Sequence, residues 1–128
     1  MSIAKYQVGV SRHIGNYSDG AAAPANLRWL HTSGTPGIDA YGVAPEGIVE
    51  QAELVWQNIF AILKAAGMGP EHLVKTISYI TRREDVAEYV KVRAQYLGDI
   101  RPAQLLLIVG GHIKPEYLIE VDAIAAAA

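Results

Sequence analysis

The sequence predicts one α+β or α/β domain, in which two helices lie on the same face of a sheet. Three observations carry this expectation. Ala52, Val55, Ile59, Ile62 and Ala66 recur at spacings of three and four, the stripe of an amphipathic helix. YLIEVDAIA, from Tyr117 to Ala125, alternates with a period of two, as a strand with one buried face does. Around these, LVKTISYI and QLLLIV read as further strands flanking a second helix.

A short strand around Ala4 to Val10 opens the chain. HIGNYSDGAAAPAN (13–26) follows as a loop because of its glycines, asparagines and proline, and GNYSDG within it is a turn, not a phosphate loop. LRWLHTSG (27–34) is a strand, and TPGIDAYGVAPEG (35–47) a surface loop suited to framing a site. The first helix runs from about Glu46 and closes at Gly67, whose lack of a Cβ suits a left-handed cap. LVKTISYI (73–80) is rich in β-branched residues. Thr81 and Glu84 then have the spacing of a capping box, and a second helix ends near Gly98. Its inward stripe is Val86, Val90, Arg93 and Leu97. The arginine either packs its stem with its head in water or meets an anion. QLLLIV, the GGHIKPE connection and YLIEVDAIA read as a hairpin or as sequential strands, and the closing AAAA as a tail without chemistry.

At 128 residues the chain fits a single domain, 1–128, with its own core. Eleven Lys and Arg against thirteen Asp and Glu give a net charge of −2, which argues against a nucleic-acid partner. There is no cysteine and no long apolar run, so the expectation is a cytoplasmic protein with no membrane association. Four histidines without ligand spacing argue against a metal site, and no cofactor is expected. Apolar residues make up 51% of the chain and charged ones only 19%, which points to apolar area in subunit interfaces.

Alternation places Ile119, Val121 and Ala123 on one strand face, and Leu118, Glu120 and Asp122 on the other. Gln104 shares a face with Leu106 and Ile108, opposite Leu105, Leu107 and Val109. Both faces of that strand are apolar beyond the amide, so it should be buried on both sides, by the helices and by a neighbouring subunit. Ser33 is a hydroxyl at a strand end without an adjacent base, and Tyr17 is either a surface residue or a mobile lid.

Taken together, IGNYSDG, TSG, AILKAAG, LVKTISYITRREDV, the RPA before a strand and the closing IEVDAIA resemble the RidA (YjgF) family, from about His13 to Ala125. The resemblance implies a fold like chorismate mutase of bacilli, one mixed sheet with two helices on one face, assembled as a homotrimer with clefts between subunits. It also implies hydrolysis of reactive enamines or imines, releasing ammonia and a 2-keto acid. In such members an arginine in the pattern P-A-R-S-C grips the substrate carboxylate through two charge-assisted hydrogen bonds. Here the motif reads Pro102, Ala103, Gln104, Leu105, Leu106, so the amide of Gln104 stands at the arginine's position and Leu106 at the cysteine's. Arg101, three residues earlier and on the opposite strand face, is no substitute. The missing charge is worth about 1.5–3 kcal/mol of binding, roughly a tenfold to hundredfold affinity loss.

The resemblance further makes Glu120 the carboxylate that handles water, as catalytic residue. Substrate-binding positions are Tyr17, Ser33, Gly34, Gln104 and Leu106, with Arg93 or Arg28 as replacement anion sites. The expected function is therefore a hydrolase acting on an enamine, imine or related small unsaturated metabolite. The alternative is a non-catalytic trimer that binds a small metabolite or a partner protein. Endoribonuclease, a label often attached to the family, is opposed by the acidic balance and the lack of a basic, aromatic-interleaved surface.

Overall fold

In the computed structural model, which describes residues 2–128, nine regular elements follow in order. They are β1 (Ala4–Tyr6), β2 (Gly20–Ala22), β3 (Arg28–His31), β4 (Thr35–Pro36), α1 (Ile48–Ala65), β5 (Leu73–Ile80), α2 (Val86–Leu97), β6 (Ala103–Ile108) and β7 (Ile119–Ala127). The main sheet has the order β3-β7-β5-β6, with β4 also paired to β7. It is mixed: β5 and β6 are parallel, joined through α2, and the pairs with β7 are antiparallel. Trp56, Ile59 and Leu63 of α1, Tyr89 of α2, and Ile119 and Val121 of β7 are completely buried in one cluster. The phenol of Tyr89 shares a hydrogen bond with Ser78, tying α2 to the middle of the sheet. Among the described residues no helix is long and apolar enough to cross a membrane.

Several expectations are corrected. β6 and β7 are not a hairpin, because β5 lies between them. The alanine tail is strand up to Ala127, paired with β3. Ala125 and Ala126 are only 1% exposed, since small side chains let other elements close over both faces of β7. Part of the 13–26 loop forms β2, which pairs only with β1. The stripe of α1 is as expected at Ala52, Val55 and Ile59, but Leu63, not Ile62, is buried, Ala66 lies half-buried just past the helix, and Gly67 has the left-handed φ of +71°. On α2 the buried line runs through Tyr89, Val92, Arg93 and Leu97, with Val86 and Val90 at its margin. No capping box forms at Thr81 and Glu84. A short turn over Arg83–Asp85 leads into the helix instead, and Arg82 donates to the Asp85 carboxylate at 2.7 Å. In β6 Gln104 and Leu106 are half-buried within one chain, whereas Leu105 and Leu107 on the other side are 44% and 39% exposed and Ile108 at the strand's end is 41% exposed.

Gln51 is the main polar tie of α1. It is 2% exposed, donates to the carbonyls of Pro45 and Glu116, and accepts from the Leu118 N–H, all at 2.9 Å. These bonds fix the connection that enters β7. A second tie holds the loop carrying Tyr17: the Asp19 carboxylate accepts backbone N–H groups from Val8, Gly9, Val10 and Ser11. The Val8 N–H foremost, with Ser11 and Val10, holds the Asp19 carboxyl at about 2, below its ordinary 3.8. Because the folded value is the depressed one, this loop contribution is present in full above the ordinary value and is lost as pH falls through about 2. We expect an NMR titration to place the Asp19 carboxyl near 2, and Asp19→Asn to remove the acid-dependent loosening of residues 8–11. Titration at the ordinary value would contradict the bonded loop.

Candidate functional site

The expected site residues fall into two groups on opposite faces of the sheet. Thr76 and Ser78 of β5 stand beside Gln104 and Leu106 of β6 and beside Ala123 and Val121 of β7, so all six share the face under the helices. Glu120 and Asp122 instead stand beside Tyr79 and Ile77, on the uncovered face. A single chain therefore does not bring Glu120 to Gln104.

The first group lies where the edge strand β6 meets α2. A cavity of about 410 Å³ there is lined by Tyr17, Val90, Arg93, Gln104, Leu105 and Leu106, among others. Tyr17 is brought to it because the Ser18 N–H donates to the Pro102 carbonyl and Ser18 bridges to Ala103, at the start of β6. Both ends of the Gln104 amide are shielded from solvent and have no hydrogen-bond partner among the described residues, and the same holds for the hydroxyl of Thr76. Each such group forfeits about 1–3 kcal/mol. Arg93 is 9% exposed and has no carboxylate partner among the described residues. Its guanidinium lies 5.5 Å from the centroid of the Tyr89 ring. Burial lowers its pKa, against the opposing influence of Tyr89. The arginine therefore finds no acid among the described residues. Arg28 is elsewhere, donating to the carbonyls of Ala66 and Ala128, where it caps the C-terminal end of α1.

The second group is assembled by β7. Thr32 exchanges hydrogen bonds with the backbone of Ala123, and Thr35 and Pro36 pair with Val121 and Glu120. This pins Ser33 and Gly34, both exposed, beside the Glu120 side chain. A Cβ on Gly34 would lie 2.8 Å from Glu120 Oε1, so the glycine leaves room for the carboxylate. Glu120 Oε2 is 3.2 Å from Nδ1 of His112, and these side chains are 18% and 8% exposed. Nε2 of His112 is 3.0 Å from the Tyr79 carbonyl. Nearby, Tyr79 donates its phenolic hydrogen to Asp122 at 2.9 Å, a bond that together with burial raises the Tyr79 pKa.

Sequence reasoning missed His112, Thr76 and Tyr89. The one signal for His112 is its place at the mouth of the GGHIKPE connection, eight residues before Glu120, and no motif marks it. Among the described residues no cluster of His, Cys, Asp and Glu could hold a metal ion.

A mixed sheet with two helices on one face, a largely apolar pocket holding Arg93 and Gln104 at its edge and a carboxylate with histidine on its other face define a small α+β protein. The family model described as Endoribonuclease L-PSP matches residues 10–127. The chain belongs to the RidA/YjgF family. It is 36% identical over 78 residues to a RutC family protein of Pyrococcus horikoshii, and that match covers 61% of each chain. It is 29% identical over 114 residues to the 2-iminobutanoate/2-iminopropanoate deaminase of Mus musculus, covering 88% of this chain and 82% of that one. The fold is that of a Rid family protein of unknown function from Yersinia pestis, with a TM-score of 0.84, 23% identity, and 99% and 100% of the two chains covered.

Gly34→Ala tests the second group. The added methyl meets the far end of a flexible side chain and not backbone, so we expect the melting temperature to move by less than about 3 °C. Glu120 should swing away and the ring ¹⁵N signals of His112 should change. An unchanged His112 spectrum would show that the carboxylate is not held where Gly34 leaves space.

Proposed function

We propose that the protein hydrolyses small imines or enamines bearing an anionic group, in a cleft formed between two copies of a homotrimer. The observation that carries this reading is the buried Arg93, without an acidic partner, beside the unpaired amide of Gln104. Such a pair suits a carboxylate or similar anion, with Arg93 supplying the charge that Gln104 does not bring to the family motif's arginine position, and the amide offering both a donor and an acceptor. Leu106, Val90 and Tyr17 form the wall for the remainder of the substrate. The exposed Leu105 and Leu107 side is the face a second copy covers, and its Ser33, Gly34 and Glu120 complete the cleft.

The reaction consumes one water. Its oxygen bonds to the carbon of the C=N group, the π electrons pass to nitrogen, and Glu120 takes the proton that water releases. Returned to nitrogen, that proton completes the carbinolamine, and a second proton, passed from its hydroxyl through Glu120 to nitrogen, lets ammonia depart as the C–N bond breaks and the carbonyl forms. The name of the mouse relative, a deaminase of 2-imino acids, supports the same chemistry. Gln104 in place of a charged clamp favours a second reading, a metabolite-binding trimer without turnover.

Two experiments test these readings. Imines generated in situ by an amino-acid oxidase should lose ammonia faster with the protein than without, and Glu120→Ala should abolish the acceleration. No acceleration with any side-chain class would leave the binding reading. Arg93→Leu should raise KM roughly tenfold to hundredfold while leaving stability unchanged or higher, because an unpaired buried charge is removed. Equal mixtures of Glu120→Ala and Arg93→Leu, unfolded and reassembled together, should recover roughly a quarter of the wild-type rate at low substrate. No recovery would mean that both residues act within one chain or not at all.

A further inference from the structure

The ring of His112 is held at both nitrogens by groups that constrain its protons. Nε2 lies 3.0 Å from the carbonyl oxygen of Tyr79, which can only accept, so Nε2 carries a hydrogen. Nδ1 lies 3.2 Å from Oε2 of Glu120. With Nε2 already protonated, a neutral ring would present only a lone pair to that oxygen, so the contact needs a second hydrogen between them. We propose that His112 and Glu120 form a dyad with one shared proton, in which His112 positions the carboxylate by anchoring Oε2 and leaves Oε1 directed past Gly34 to the open side.

The dyad carries no net charge wherever the shared proton resides, on the ring or on the carboxyl. That is why two titratable side chains, 8% and 18% exposed, can sit together without another charged partner among the described residues. The remaining polar groups on this face do not compete for it. Tyr79 and Asp122 bond to each other at 2.9 Å, and Lys75 and His31 lie toward the far end of β7, beside Ile124. The space at Gly34 keeps Oε1 free: its would-be Cβ is 2.8 Å from that oxygen. His112 itself is anchored through β5, because its second bond is to the backbone of Tyr79, the residue paired with Glu120. The strand pairing that sets Glu120 therefore also sets its histidine.

This inference rests on the reading of Glu120 as the group that handles water. With Oε2 engaged, only Oε1 accepts the proton from water, and it does so in one fixed direction. That proton and then the one from the carbinol hydroxyl pass in turn through Oε1 to nitrogen, so the dyad ends each cycle with the protons it began with.

The test has two arms, so that failure of the dyad and failure of the hydrolase reading are distinguishable. In the intact protein with ¹⁵N-labelled histidine, His112 should show a protonated Nε2 and no neutral Nδ1–H tautomer. A neutral ring protonated only at Nδ1 overturns the proposal, whether or not turnover is found. In the imine assay His112→Ala should lower kcat at least about tenfold with KM nearly unchanged. His112→Asn, whose amide N–H can replace Nδ1–H toward Glu120, should recover most of that loss. A full kcat in His112→Ala, or no recovery in a folded His112→Asn, would exclude the positioning role.

Discussion

The alternation of β7 is the constraint on which the other features depend. Its odd-numbered residues, Ile119, Val121 and Ala123, are at most 2% exposed under the helices, so Glu120 and Asp122 must face the other way. A slip by one residue would drive both carboxylates into the core, at a cost far above any gain from pairing. The strand also touches three others: β5 along most of its length, β3 at its alanine end and β4 at its start. Through β4 it gathers Ser33 and Gly34, and through β5 the carbonyl that holds His112. The geometry of Glu120 is thus a consequence of register and needs no loop to impose it.

The edge of the sheet follows a different logic. In the interior, Trp56, Ile59, Leu63 and Ile119 fill space without polar demand apart from the indole nitrogen. Where α2 meets β6, by contrast, the amide of Gln104 and the nearby Thr76 hydroxyl are kept from water with no hydrogen bond made among the described residues, beside the largely buried Arg93. Apolar residues of similar size would serve stability better at these positions. Unmade bonds concentrated in a cavity wall are what a preorganised site presents before its ligand arrives, since the desolvation has already been incurred in folding.

Much of this was legible in the sequence. The periods of α1 and β7, the eight-residue β5 and the cap at Gly67 follow from spacing and residue type alone, and strand parity placed Glu120 opposite Val121 correctly. The motif around Pro102 located Gln104, because a motif names a position whatever residue fills it. Topology was harder to read. A connection such as GGHIKPE is compatible with a hairpin, and only the parallel pairing of β6 with β5 removes that choice. Ala125 to Ala127 carry no period to read, and their burial arises from strands meeting in space. Thr81 and Glu84 had cap spacing, but the ion pair of Arg82 with Asp85 and the turn before α2 occupy that corner instead. His112 was hidden for a simpler reason: its relation to Glu120 exists only after β7 returns along β5.

The bare sheet face carries its own argument about assembly. Leu105 and Leu107 make it apolar at one edge and Trp29 at the other, yet it also holds two carboxylates. Covering bare carboxylates would impose a desolvation penalty larger than apolar contacts of this size return. Here each acid already has a partner within its own chain, Glu120 in His112 and Asp122 in the Tyr79 hydroxyl. Such pairing shields part of each carboxylate, Glu120 by a histidine and Asp122 by a neutral hydroxyl that leaves its charge in place. The strand pairing that partners these acids also sets Oε1 of Glu120 beside Gly34, where the absent side chain leaves it room.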